Sequence, residues 1–275
     1  MPSTTGDARR QLKTSTRLEK FQRDGSQIRL TRGRRFLVRH CKSIIDEMEV
    51  LRQNTGLEND AVERELRIAV NNIIAQDALV ALVLEFEKQF PTTELSILRE
   101  VYNGCWDARY GDRADLVIGV PHGVPHSDAL ISESLGEIAW DFVIAPDHPL
   151  AQQKQPLRSS DLRKYPAVYV RDTSLAFSPQ HAWLLNTQKP LFVPGFGVAI
   201  ALIEAGAGIG YVPRHMAQAA IAQGRLVARA VEEQKHATHL FLVYRPEKKG
   251  RVRQWCVDYV TQPEVRRRLC GEPSR

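Results

Sequence analysis

ELRIAVNNIIAQDALVALVLEFEKQFPTTELSILREV, residues 65–101, changes rhythm twice. ELRIAV is a short apolar strand. After it, Leu79, Leu82, Val83, Phe86 and Phe90 fall at helical steps and share one face, so IAQDALVALVLEFEKQF reads as an amphipathic helix. ELSILREV then reads as a second strand. Strand, helix and strand in this order imply a parallel βαβ unit with a right-handed crossover.

The same alternation continues outward. A short helix around WDARYGD leads to a third strand, DLVIGV, at 115–120. It restarts at Ala139 with the strand WDFVIA, the short helix SDLRK, the strands AVYV and LFVP, the helix VAIALIEAG, the strand IGYVP and the helix MAQAAIAQG. HLFLVYR at 239–245 is a late strand, and RVRQWCVDYVTQ is a closing helix with Val252, Trp255, Cys256, Tyr259 and Val260 on its apolar side. The expected fold is α/β with two lobes of about 100 residues each, a usual domain size, and a cleft between them is a preferred ligand site.

Loops at the carboxyl ends of parallel strands are where such folds bind ligands. Here these are Asn71, Asn72 and Ile73, the turn holding Tyr102, Asn103 and Trp106, Pro121 with His122, Thr173 with Ser174, and Phe196 with Gly197 and Val198. Asn71 or Asn72 can cap the following helix or offer its amide to a ligand. EAGAGIG at 204–210 has the order helix, glycines, strand, the reverse of a dinucleotide loop, and is read as a helix stop with positive φ. His148 in PDHPLA, between Asp147 and Pro149, reads as turn chemistry.

The chain has 275 residues, 43% hydrophobic and 25% charged, as a globular protein does, with a net charge of +6. Residues 1–42 hold twelve basic side chains against three acidic ones, a surplus of +9 that exceeds the whole chain's. The positive field is therefore local and suits an anionic partner. Residues 1–17 read as a basic, disordered arm. Leu37, Cys41, Ile44, Met48 and Leu51 alternate steps of four and three, as a dimer seam requires, and NTGLENDAVERE after them reads as a linker. An amphipathic helix packed on its own domain is the alternative.

The four cysteines, Cys41, Cys105, Cys256 and Cys270, are far apart, which argues against a zinc site or disulfide framework and suits a reducing compartment. No G-x-S-x-G, P-loop or HExxH is present, so neither an enzyme, a metal site nor a cofactor is expected. The longest apolar run, ALVALVL, is shorter than the ~20 residues of a membrane span, and the N-terminus has no signal-peptide pattern, so the expected location is the cytoplasm without a membrane partner.

FQRDGSQIRLTRGRRFL resembles the wing-to-linker-helix segment of LysR-type transcriptional regulators, and LRIAV, DLVIGV, FVIAPDHPLA and IEAGAGIGYVPRHMA occur in the order of that family's effector-binding domain. The resemblance covers residues 18–262. It implies a wing at 18–33, a dimerisation helix at 34–54, and an effector domain at 64–262 resembling type 2 periplasmic binding proteins. Its lobe I would span 64–135 and 243–262 and its lobe II 136–242, with crossovers near Leu135 and His239. The partners implied are DNA, a small-molecule effector in the cleft, and a second copy in a homodimer or homotetramer.

LRIAVNNI, REVYNGCWDARY, YPAVYVRDTS and AWLLNTQKPLFVP are similar to the branch that includes regulators of allantoin and purine nucleoside use. That likeness implies a purine catabolite or small carboxylate as effector.

The sequence departs from the family in one place. MPSTTGDARRQLKTST lacks the apolar periodicity of the helices that precede the wing, and Leu30-Thr31 runs straight into Arg32-Gly33. The family usually has Leu-Thr-x-Ala-Gly here, so one residue is missing, which would rotate the linker helix by about 100°. The expectation is therefore a truncated helix-turn-helix. Arg23, Ser26, Arg29, Arg32, Arg34 and Arg35 would hold DNA phosphates without reading bases. The alternative function is a ligand-binding and dimerisation module that modulates paralogues in mixed dimers.

Overall fold

The structure, a computed structural model, describes residues 21–24, 27–30, 63–121, 130–154, 156–180, 183–246 and 250–272. The dimer seam and Ser26, Arg32, Arg34 and Arg35 lie outside the described residues, as does His122. The chain divides into two units, 1–61 and 62–275. In the first, β1 (Phe21–Asp24) and β2 (Gln27–Leu30) form an antiparallel hairpin with Phe21 opposite Leu30.

The second unit contains two sheet systems. Its five-stranded sheet uses β3 (Glu65–Asn71), β4 (Glu94–Glu100), β5 (Leu116–Val120), β6 (Ile131–Ile138) and β12 (Thr238–Tyr244), in the order β4-β3-β5-β12-β6. β3 runs parallel to both β4 and β5. It is buried from Ile68 onward, as a strand covered on both faces must be.

Helix α1 (Gln76–Gln89) crosses from β3 to β4 and buries Ala78, Leu82 and Phe86, which are four residues apart and so line one side. Burying Leu82 and Phe86 contributes about 1.5–3 kcal/mol each. Phe86 and Phe90 meet the edge of Trp255 on α6 (Arg251–Val260) at 6.0 and 5.5 Å between ring centres. Pro91 disfavours helical backbone at Phe90, and α1 stops there.

The second lobe is built on β7 (Trp140–Ile144), flanked antiparallel by β10 (Gly210–Pro213) and β11 (Val227–Ala228), with a parallel pair of β8 (Ala167–Val170) and β9 (Pro190–Val193). Helix α4 (Phe196–Glu204) ends at Gly206, whose φ of +76° favours glycine, before the chain returns into β10. Phe142, Trp183 and Tyr211 meet edge to face at 5.2–6.1 Å in its core.

The parallel expectation holds for β3–β4, β3–β5 and β8–β9, but β6 and β12 run antiparallel to each other and β12 antiparallel to β5. These two strands carry the chain out to the second lobe and back, so they run in opposite directions where they pair. β6 contains Leu135 and β12 contains His239, opposite Glu137. ISESLGEI was not read as a strand, because Leu135 and Ile138 are its only buried positions. The last helix, Pro263–Leu269, was also not foreseen.

Candidate functional site

A cavity of about 470 Å³ opens where the lobes meet the crossing strands. The first lobe supplies Asn71, Asn72, Ile73, Val101, Tyr102 and Pro121, and the second supplies Trp140 and Phe196. The floor is the approach to β12, with Lys235, His236, Ala237, Thr238, His239 and Phe241.

The turn after β3 settles what the two asparagines do. Asn71 Oδ1 accepts from the Ile73 amide at 3.2 Å, closing the turn, while its Nδ2 faces Cys105 Sγ at 3.5 Å. Neither asparagine caps α1, whose N-cap is Ala75. Asn72 is also buried, and both its carboxamide oxygen and nitrogen lack a hydrogen-bond partner among the described residues.

Tyr102 adopts a left-handed backbone with φ +46°, uncommon outside glycine, and stacks on Tyr169 of the second lobe at 6.3 Å. Burial pushes its phenol up, so the hydroxyl stays protonated. On the opposite wall, Trp140 Nε1 donates to Thr238 Oγ1 at 2.8 Å, and the Lys235 ammonium sits 3.4 Å from the centre of a Trp140 ring. Burial pushes Lys235 down to about 7. His239 bonds through Nε2 to Ser134 Oγ at 2.7 Å, which ties the cavity floor to β6.

Beside the cavity, the loop 171–180 fastens the lobes together. Thr173 donates to the Glu100 carboxylate at 2.5 Å and accepts from the Val101 amide at 2.9 Å, and Glu100 also pairs with Arg113 at 2.6 Å. The Asp172 carboxylate accepts from the amides of Asn103, Gly104, Ser174 and Gln180 at 2.8–3.3 Å. Asp107, on α2 (Gly104–Tyr110), accepts from the amides of Leu175 and Ala176. All three carboxylates are buried.

Asn71, Asn72, Ile73, Tyr102, Pro121 and Phe196 of the expected ligand loops therefore share the cavity wall. Asn103, Thr173 and Ser174 belong to the interlobe fastening, and Trp106 is packed in the core beneath it. Gly197 and Val198 follow Phe196 on α4 but are not part of the wall. Trp140 and the segment from Lys235 to Phe241 were not foreseen as wall residues. Their signal was topological, since a crossover placed near His239 must pass the cleft.

His148 accepts from the Leu150 amide at 3.2 Å within its turn. Among the described residues no cluster of three or more His, Cys, Asp or Glu could hold a metal ion. Nor is any helix there long and apolar enough to cross a membrane.

Comparison with known proteins gives a consistent result. The transcriptional activator AllS of Klebsiella pneumoniae is 34% identical over 218 residues, covering 79% of this chain and 81% of that protein. The regulator PunR of Escherichia coli K12 is 28% identical over 265 residues, covering 96% and 86%. The regulatory domain of MetR, a LysR family regulator from N. meningitidis, superposes with a TM-score of 0.57 at 21% identity over 76% of this chain and 96% of its own. Residues 59–263 match the LysR substrate binding domain. With that domain spanning most of its length, this chain belongs to the LysR-type transcriptional regulators.

Proposed function

We propose that the chain senses a small molecule in the interlobe cavity and passes the bound state to DNA as a homodimer or homotetramer. The observation that carries this reading is the cavity itself: both lobes wall it, and the paired strands β6 and β12 form its hinge, so a ligand bridging the walls changes the energy of lobe closure. Asn71, Asn72, Ile73, Tyr102, Pro121 and Phe196 contact the effector, joined by Trp140 and Lys235. Asn103, Trp106, Thr173 and Ser174 act through the adjoining fastening, and His122, Gly197 and Val198 complete the proposed effector set on the strength of their places after the strands in the sequence.

The effector is a purine catabolite or a small carboxylate. The sequence likeness to the purine branch supports the first and the cation of Lys235 supports the second. Leu37, Cys41, Ile44, Met48 and Leu51 pair the copies. Arg23, Ser26, Arg29, Arg32, Arg34 and Arg35 hold phosphates around the 21–30 hairpin, in the cytoplasm where the DNA is.

A thermal-shift screen of purine catabolites and small carboxylates, followed by a gel shift on promoter DNA with each hit, tests the reading. A ligand at 100 times its Kd adds about 2.7 kcal/mol of stability. The reading expects a hit that is lost when Phe196→Trp fills the cavity and that changes DNA binding. If hits survive that substitution, the cavity is not the sensing site. If the chain binds no DNA at physiological salt, with or without a hit, it is instead a ligand-binding partner for mixed dimers.

A further inference from the structure

Two groups in the cavity wall carry unused polarity. Asn72 is 6% exposed, and its Nδ2 and Oδ1 are both without a partner among the described residues. Its neighbour Asn71 has the opposite character, with its oxygen committed to the turn. Lys235 has only the Trp140 face beneath its ammonium and forms no ion pair with a carboxylate among the described residues. The rest of the wall is largely apolar or aromatic: Ile73, Val101, Tyr102, Phe196 and Phe241.

These groups constrain the chemistry of the missing partner. A carboxamide offers one acceptor beside its N–H donors, and both are satisfied together by a ligand edge that presents N–H next to C=O. A lactam or a ureide has that edge, and an aliphatic acid does not. A half-buried ammonium without a counter-charge favours an anion, and the apolar side chains of the wall strengthen that attraction. A volume of about 470 Å³ lies in the range of small-molecule sites.

We propose that the cleft selects a small organic acid carrying a lactam or ureido edge, with Lys235 holding the acid group and Asn72 pairing with the edge. This rests on the reading of the cavity as the effector site. Lys235 sets the charge preference and Asn72 the orientation, while Tyr102 and Phe196 supply flat apolar surface for a ring. The burial that weakens the Lys235 ammonium in the free protein supports this division, because a bound anion restores the proton.

Calorimetry on the full chain with three probes tests the proposal. Orotate has both the acid and the ureido edge, uracil has the edge alone and benzoate has the acid alone. Orotate is expected to bind about tenfold or more tightly than either. Lys235→Met should bring orotate down to the level of uracil, and Lys235→Arg should retain most of the affinity. Asn72→Leu should bring orotate to the level of benzoate while the ligand-free protein melts higher, a combination that damage to the fold cannot produce.

Equal binding of the three probes, no binding of orotate, or orotate binding indifferent to both substitutions would overturn the proposal. Its failure can be separated from failure of the sensing reading. A different compound that alters DNA binding, and is blocked by Phe196→Trp but not by Lys235→Met or Asn72→Leu, leaves the cavity as the sensor and removes the ligand class.

Discussion

Thr173 reaches out of the second lobe to Glu100 in the first, donating its hydroxyl proton at 2.5 Å while its oxygen takes the Val101 amide at 2.9 Å. One side chain thus satisfies a buried carboxylate and a backbone donor across the interlobe boundary. Gly104 makes this approach possible, because a Cβ there would strike the Thr173 hydroxyl.

Thr173→Val keeps the shape and removes both bonds, leaving Glu100 with Arg113 alone. The expected loss is about 1–3 kcal/mol of unfolding free energy, the cost of leaving buried polar groups unmet. Urea denaturation measures it. Hydrogen exchange at Val101 should accelerate more than at Ile68 in the middle of β3, since the lobes part before the sheet opens.

Asp172→Asn keeps the size of the side chain but replaces an ionised acceptor of four amides with a carboxamide that has one acceptor oxygen. Hydrogen bonds to charged groups contribute about 1.5–3 kcal/mol each, and the surrounding loop relaxes, so a net destabilisation of about 1.5–3 kcal/mol is expected. A ligand that needs closed lobes should bind the variant more weakly, as calorimetry with any thermal-shift hit would register.

Asn72→Leu is expected to stabilise the ligand-free protein by about 1–2 kcal/mol, because a buried carboxamide without partners is replaced by an apolar group of similar volume. A rise in Tm by calorimetry checks it. A drop would mean that the carboxamide is satisfied in solution.

Lys235 gives stability a pH dependence whose sign is set by its depressed affinity for a proton. Its native value is about 7 against an ordinary 10.5, so between these values the unfolded chain holds a proton that the folded chain has released. Stability therefore rises with pH through that window and is lowest below it. His236, His239 and Tyr102 share the cavity, and Glu233 and Tyr211 flank Lys235 in a smaller neighbouring cavity. The buried thiols of Cys105, Cys256 and Cys270 are pushed up and act in the opposite sense near pH 9. The clean range is therefore roughly pH 7–8.5, and Lys235→Met should remove up to one proton of slope from urea midpoints measured there.

How much could be read from the chain differs between the fold and the cavity. The β3–α1–β4 unit was legible because Leu82, Phe86 and Phe90 of the expected helical face are buried, with Ala78 in place of a fully buried Leu79 or Val83, and Ile68 and Val70 sit in a run buried on both faces. The glycines after α4 were legible because a helix stop needs a residue at ease with positive φ. β6 was not, since a strand with only two buried positions carries no apolar period. Lys235 and His236 were not either, because EEQKHATH has the composition of a solvated loop and acquires its surroundings only through the fold, from Trp140 and Tyr211 among others.

The sequence by itself determined most of the strands and helices, β6 and the last helix excepted, since hydrophobic spacing and glycine or proline punctuation act within a few residues. It also determined the family, whose motifs are contiguous. Only the tertiary structure decided which asparagine is free, that Asp172 and Thr173 fasten the lobes, and that Lys235 lies over Trp140. Burial, partner satisfaction and charge environment are properties of neighbours in space, and Asp172 and Thr173 find theirs in the opposite lobe.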